Sequence, residues 1–243
     1  MRHLSPFLVA TLLLLPLPGS ASPASATDKA VQAMEQGDFK TALDELRPLA
    51  AKGDPHAQFL MGMLYDSGKG VAQDQATAAS WYRKAAKQGH LMAQVFLGVL
   101  LYTGQGVKQD YAESARWFRT PADSGDNQAQ FYLGAMYERG AGVKKNESEA
   151  IRWLTQSAAQ RNTRAMGLLA TTLFSRSRDD QDRVDAYAWS HLAAELDPMQ
   201  AATSARGVIE QYCSAEQKKR GKAVMAGWKR KWSDEDKADA SRR

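Results

Sequence analysis

The sequence predicts an all-α protein, an α-solenoid of helix-turn-helix repeats wound into a right-handed superhelix. Three observations carry that expectation. Trp81, Trp117, Trp153 and Trp189 stand 36 residues apart. Gly62, Gly98 and Gly134 keep the same step, as do Gly70-Val71, Gly106-Val107 and Gly142-Val143, and Ala57-Gln58, Ala93-Gln94 and Ala129-Gln130. Alanine is abundant while Val, Ile and Thr are sparse, a balance that favours helix over sheet. At this period each repeat is one helical hairpin that buries its apolar face against its neighbours.

The elements follow in chain order. Residues 1–26 have a positive start at Arg2, an apolar run from Phe7 to Leu17 and a small-residue end at Ala24-Ser25-Ala26. This is the pattern of a signal peptide cut after Ala26, with Ala21 as the second choice. The run is too short for a spanning helix, which needs ~20 apolar residues. The mature chain is therefore expected to be exported, to the periplasm first and to the outside second. Residues 27–53 read as an N-terminal capping pair: a helix over Asp28 to Glu35, then one whose face carries Phe39, Ala42, Leu43, Leu46 and Leu49. Pro48 is expected to kink or divide the second helix.

The array occupies residues 54–196, with three clear copies and a degenerate fourth. Each copy starts with a helix A; in the first, Asp54-Pro55 supplies an N-cap and a first-turn proline. The glycines of "GKGV", "GQGV" and "GAGV" end helix A in a left-handed cap and turn the chain toward helix B. Asp74, Asp110 and Asn146 are N-caps of helix B. Glu113 and Glu149, three residues after two of them, predict capping boxes. Gly62, Gly98 and Gly134 fall inside helix A, at a cost of ~1 kcal/mol each relative to alanine. That cost implies close approach of a neighbour, with the tryptophan column as the expected bulk. In the fourth copy helix A is expected to end near Phe174, before a longer charged loop, "SRSRDDQDRVDAY". Residues 197–232 predict a closing helical pair, starting at Asp197-Pro198 and, with a capping box, at Ser214. Residues 233–243 read as a charged, frayed tail.

Residues 57–89, "AQFLMGMLYDSGKGVAQDQATAASWYRKAAKQG", resemble a Sel-one-like repeat, a branch of the tetratricopeptide-like superfamily. The family pattern of Ala-Gln, Leu-Gly, Tyr, Gly-x-Gly-Val, Asp, Ala, Trp-Tyr and Ala-Ala-x-x-Gly carries the resemblance and is met almost fully by these residues. The second copy departs from it at Pro121, Leu101 and Phe118, and the third at Asn146, Leu154 and Ser157. "YAWSHLAAELD" and the helical pair after it are similar to the closing segment of many exported bacterial members. The resemblance implies a superhelix whose concave face, lined mainly by A helices, binds a partner protein or peptide. β-Lactam-binding relatives are cysteine-rich; this chain lacks those cysteines, so that activity is not carried over.

The residue inventory holds little chemistry. No nucleophile-elbow, zinc-protease, Ser-x-x-Lys, Cys-x-x-Cys or P-loop motif occurs, and no cofactor or metal is expected. His56 and His90 read as surface histidines near the starts of adjacent A helices, and Asp179-Asp180 as a solvated pair. Cys213 is the single cysteine. It is read as a small residue near a helix end, with an intermolecular disulfide as the alternative. The net charge of +5 is mild and does not point to nucleic acid. Candidate partner-binding residues are Gln58, Gln94 and Gln130, for which family consensus in the fold is an equally good reason. Lys218, Lys219 and Lys222 of a basic terminal helix join them. The expected function is a non-enzymatic scaffold of the cell envelope; a hydrolase acting on cell wall is the alternative.

Overall fold

The computed structural model describes residues 26–176, 179–197 and 205–242. Nearly all of the expected signal segment, and the expected helix start at Pro198, lie outside the described residues. Among the described residues the chain is helical throughout, with no strand. α1 (Asp28–Glu35) and α2 (Phe39–Ala51) form the N-terminal pair. The A helices are α3 (Pro55–Ser67), α5 (Leu91–Thr103), α7 (Asn127–Arg139) and α9 (Thr163–Arg176). The B helices are α4 (Gln75–Lys87), α6 (Tyr111–Asp123), α8 (Glu147–Ala159) and α10 (Asp180–Leu196). α11 (Arg206–Tyr212) and α12 (Ala215–Ser241) close the stack. Each helix from α1 to α10 packs chiefly on its neighbours in sequence, and α11 and α12 both pack on α10.

The helix ends follow from side chains that replace missing backbone partners. Asp38, Asp54, Asp74, Asp110, Asp126 and Asn146 each accept a first-turn N–H at the start of their helix. Gly68, Gly104 and Gly140 end the A helices at φ +70°, +73° and +74°. Only half of each expected capping box forms. Asp110 and Asn146 cap as expected, but Glu113 turns to Trp117 and Arg83, and Glu149 to Arg152. The box at Ser214 and Gln217 is complete.

The helix-interior glycines do make room, but not for tryptophan. A Cβ on Gly62 would lie 2.5 Å from the Tyr82 ring; on Gly98 it would meet Phe118, and on Gly134 Leu154. The residue after each tryptophan is the knob. In the fourth repeat both columns change together: Ala170 stands at the glycine position and Ser190 at the knob position. The bulky knob is lost where the hole is partly filled, so this knob-and-hole contact is not repeated there.

The second loop glycine joins one repeat to the one before it. A Cβ on Gly106 would lie 2.3 Å from the Gln75 carbonyl carbon, and on Gly142 2.3 Å from that of Tyr111. Each loop thus rests on the first turn of the preceding B helix, backbone against backbone.

Other expectations are corrected. α2 runs unbroken through Pro48. The charged loop of the fourth repeat is mostly helix: Asp179 caps α10, whose first turns hold Asp180 to Tyr187. α12 continues to Ser241, so the expected frayed tail is helical for most of its length.

Candidate functional site

Residues that recur at the 36-residue step are mostly used up by packing. Gln58, Gln94 and Gln130 are 5%, 7% and 4% exposed. Their side-chain amides donate to the carbonyls of Ala50, Ala86 and Ala122, at the end of the preceding helix. Gln88 and Gln160 then donate to the Oε1 of Gln58 and Gln130 and to the carbonyls of Gly53 and Gly125. The glutamines therefore stitch the seams. The expectation that they face a ligand gives way to the packing reason for them.

What remains open is a stripe along the A helices, at the spacing of one helical face. Its columns differ from repeat to repeat. One holds His56, Met92, Gln128 and Arg164, and the other Ser67, Thr103, Arg139 and Ser175; between them Met63 and Thr171 are half-buried, and Val99 and Ala135 of the same column are buried. Leu91 and Met92, in the first turn of α5, are 41% and 45% exposed, unusual for such large apolar side chains. Behind the stripe runs an aromatic ladder across repeats. Phe59 meets Phe96 edge-on at 5.6 Å, Tyr102 meets Tyr132 at 5.1 Å, and the Arg164 guanidinium lies 4.3 Å from the Phe131 ring centre. Arg139 donates to the Tyr102 hydroxyl at 3.1 Å. These contacts span neighbouring A helices and fix the spacing of the stripe.

Between α7 and α9 lies a cleft of about 260 Å³, lined by Glu138, Glu147, Thr171, Thr172 and Arg176 among others. Arg176 bridges it, binding Asp182 and standing 3.6 Å from Glu147. Among the described residues no group of three or more His, Cys, Asp or Glu side chains is arranged to hold a metal ion. No helix among them is long and apolar enough to cross a membrane.

At the C-terminal end, Lys219 and Lys222 are exposed and Lys218 half-buried. Among the described residues no ion pair uses them. Arg220 and Lys229, from the same basic run, are paired with Asp180 and Glu195 of α10. Asp180 is thus no idle surface carboxylate. Cys213 is buried at the end of α11, and burial raises its thiol above the ordinary range; both facts weigh against an intermolecular disulfide.

Two histidines have structural roles, one of them His90, which departs from its surface reading. His191 is buried, stacked on Tyr187 at 3.9 Å, with Nδ1 2.9 Å from the Tyr187 carbonyl. His90 is the N-cap of α5, its Nδ1 accepting from the Ala93 N–H at 3.2 Å. His90 occupies the column of Asp54 and Asp126, and that register is the signal by which a cap might have been read from the sequence.

The Sel1 repeat family model matches residues 55–90, 91–126, 127–162 and 164–198. Among solved structures, the chain is similar to c5321, described as a protective antigen present in uropathogenic Escherichia coli strains and displaying an SLR fold. The identity is 30% and the TM-score 0.76, over 90% of this chain and 48% of that one. This chain thus spans about half the length of that protein. It is also similar in fold to a Sel1 repeat protein from Oxalobacter formigenes, with 22% identity and a TM-score of 0.58, over 82% of this chain and 98% of that one. No curated protein matches.

Proposed function

This chain belongs to the Sel1 repeat family, a repeat fold of protein–protein interaction, and from that premise we propose a non-enzymatic binding module of the bacterial cell envelope. It holds one partner protein or peptide on the exposed stripe of its A helices. The observation that carries this reading is the contrast between columns. Packing positions repeat, whereas stripe positions change in charge, size and polarity from one repeat to the next. A regular scaffold bearing an irregular surface suits recognition of one ordered partner, because each repeat meets a different part of it. Export rests on the sequence pattern of residues 1–26, and the antigen character of the E. coli relative is consistent with it. Lys218, Lys219 and Lys222 form a second, electrostatic contact for an acidic partner or an anionic surface.

A photo-crosslinking residue introduced at position 92 or 128, on the stripe, tests the reading in intact cells. The expected result is one shared partner band. The same residue at position 116 or 152, on the exposed face of a B helix, is expected to yield none. Crosslinks from the B-helix positions alone would overturn the assignment. The cell-wall hydrolase is the competing reading, and Glu138 with Glu147 is its best carboxylate pair. Hydrolysis of cell wall by the purified chain, lost in Glu138→Gln, would favour it.

A further inference from the structure

We propose that His56 and His90 form a pH-responsive latch, which holds the first turn of α5 in place only while both rings are neutral. The latch stands on geometry. His90 Nδ1 accepts the Ala93 N–H, so that nitrogen carries no proton and the ring proton sits on Nε2. His90 Nε2 lies 3.3 Å from His56 Nδ1. The Nε2–H therefore donates to His56 Nδ1, and the His56 proton sits on its own Nε2. The two rings stack at 5.6 Å between centres, and Phe59 stacks on His90 at 4.7 Å.

One added proton breaks this chain. On His90 it occupies Nδ1, removes the cap and places positive charge at the positive end of a helix. On His56 it occupies Nδ1 and faces the Nε2–H of His90, donor against donor. The other three A helices use Asp54, Asp126 and Asn162, which accept from Ala57, Ala129 and Ala165. Those three caps accept through a side-chain oxygen rather than through a ring nitrogen. Among the four A-helix caps of the described residues, His90 alone accepts through a ring nitrogen.

The charged and titratable groups facing His90 are His56 of α3 and Asp54 of the turn before it. Burial, and then the neighbouring His56, lower the His90 pKa below its ordinary 6.5, against a smaller opposite pull from Asp54. A lowered folded-state value means that the unfolded chain binds the proton more readily. The contribution is therefore complete above the unfolded value and lost as pH falls from about 6.5 through the folded value. The loosened turn carries Leu91 and Met92, so acid would alter the exposed stripe next to the first junction. The same nitrogen separation would suit two ligands of a tetrahedral metal ion. Metal on His90 Nε2, however, would move the ring proton to Nδ1 and abolish the cap.

The test is amide hydrogen exchange by NMR on the full chain, corrected for intrinsic rates, between pH 7.5 and 5. The Ala93 amide is expected to lose protection roughly five- to tenfold, the scale of a lost helix cap. Ala57, Ala129 and Ala165, whose caps accept through oxygen, are expected to hold theirs. His90→Asn, which copies the cap at Asn162, is expected to fold and to abolish the pH dependence. The latch is overturned if Ala93 tracks the other three amides, or if His90→Asn keeps the pH response. Disappearance of the response on adding EDTA would overturn it too, by assigning the pair to a metal.

Discussion

The first three repeats and the fourth do the same job by different means. In the regular repeats, glycine lets backbone and ring come into direct contact: Gly98 under Phe118, Gly106 on the first turn of α4, Gly142 on that of α6. In the fourth repeat and the closing helices, long polar side chains take over. Arg176 binds Asp182, Arg220 binds Asp180, and Gln217 reaches Asp180 as well. Arg161 stands in the column of Gly89 and Gly125 and adopts their left-handed backbone, at φ +66°. Its guanidinium donates to the Trp232 carbonyl and to Asp236 of α12, while the Trp232 indole donates to the Ala159 carbonyl. Shape fit suits a surface that must repeat. A clasp of side chains suits a surface that must end, because its outer side stays polar.

The largest expected effect lies at the clasp. Trp232 is 5% exposed, and Trp232→Ala is expected to cost about 3–5 kcal/mol. The loss should be local, so limited proteolysis would cut α12 before the array. Next comes the shape fit. Gly142→Ala places a Cβ against the Tyr111 backbone at a positive φ, and a loss of about 2–4 kcal/mol in urea unfolding is expected. Gly89→Ala has the same kind of φ with nothing within 4 Å, and should cost only about 1 kcal/mol. If the two cost the same, backbone strain rather than inter-repeat contact explains the loop glycines.

A smaller change goes the other way. Ser124 stands where Gln88 and Gln160 stand in their repeats, and it reaches only the Thr120 carbonyl of its own helix. The Gln94 Oε1 is consequently buried without a partner. Ser124→Gln is expected to raise stability by about 1 kcal/mol, by supplying the missing donor. The smallest effect belongs to the half-exposed pair of Lys229 and Glu195. Lys229→Ala should cost under about 1 kcal/mol, and less at high salt.

The repeat length, the A and B helices of the regular copies, the glycine ends of the A helices and the Asp or Asn starts of the B helices were legible because each rests on local chemistry repeated three times; the His90 cap was not, because its register was the only sign of it. The partner of the helix-interior glycines was not. Trp and Tyr are adjacent in "WY", and which of them points inward depends on helix phase within about one residue. The stretch from Ser175 to Tyr187 in the fourth repeat reads as loop because its charges look solvated until Arg176, Gln217 and Arg220 are placed beside Asp180 and Asp182. The buried glutamines misled for a related reason. A recurring polar residue fits a ligand face and a seam equally well until the carbonyls it meets are known. The stripe itself became visible only by subtraction, once the packing columns had been accounted for.

The central claim is that scaffold and recognition columns are separable, and the double variant Met92→Glu with Gln128→Glu tests it most directly. Both residues sit second in their helices, where an acidic side chain favours the helix end by about 0.3–1 kcal/mol. The predicted result is an unchanged or slightly raised melting temperature together with loss of partner capture in intact cells. Undiminished capture of the same partner by a fully folded double variant would contradict the account.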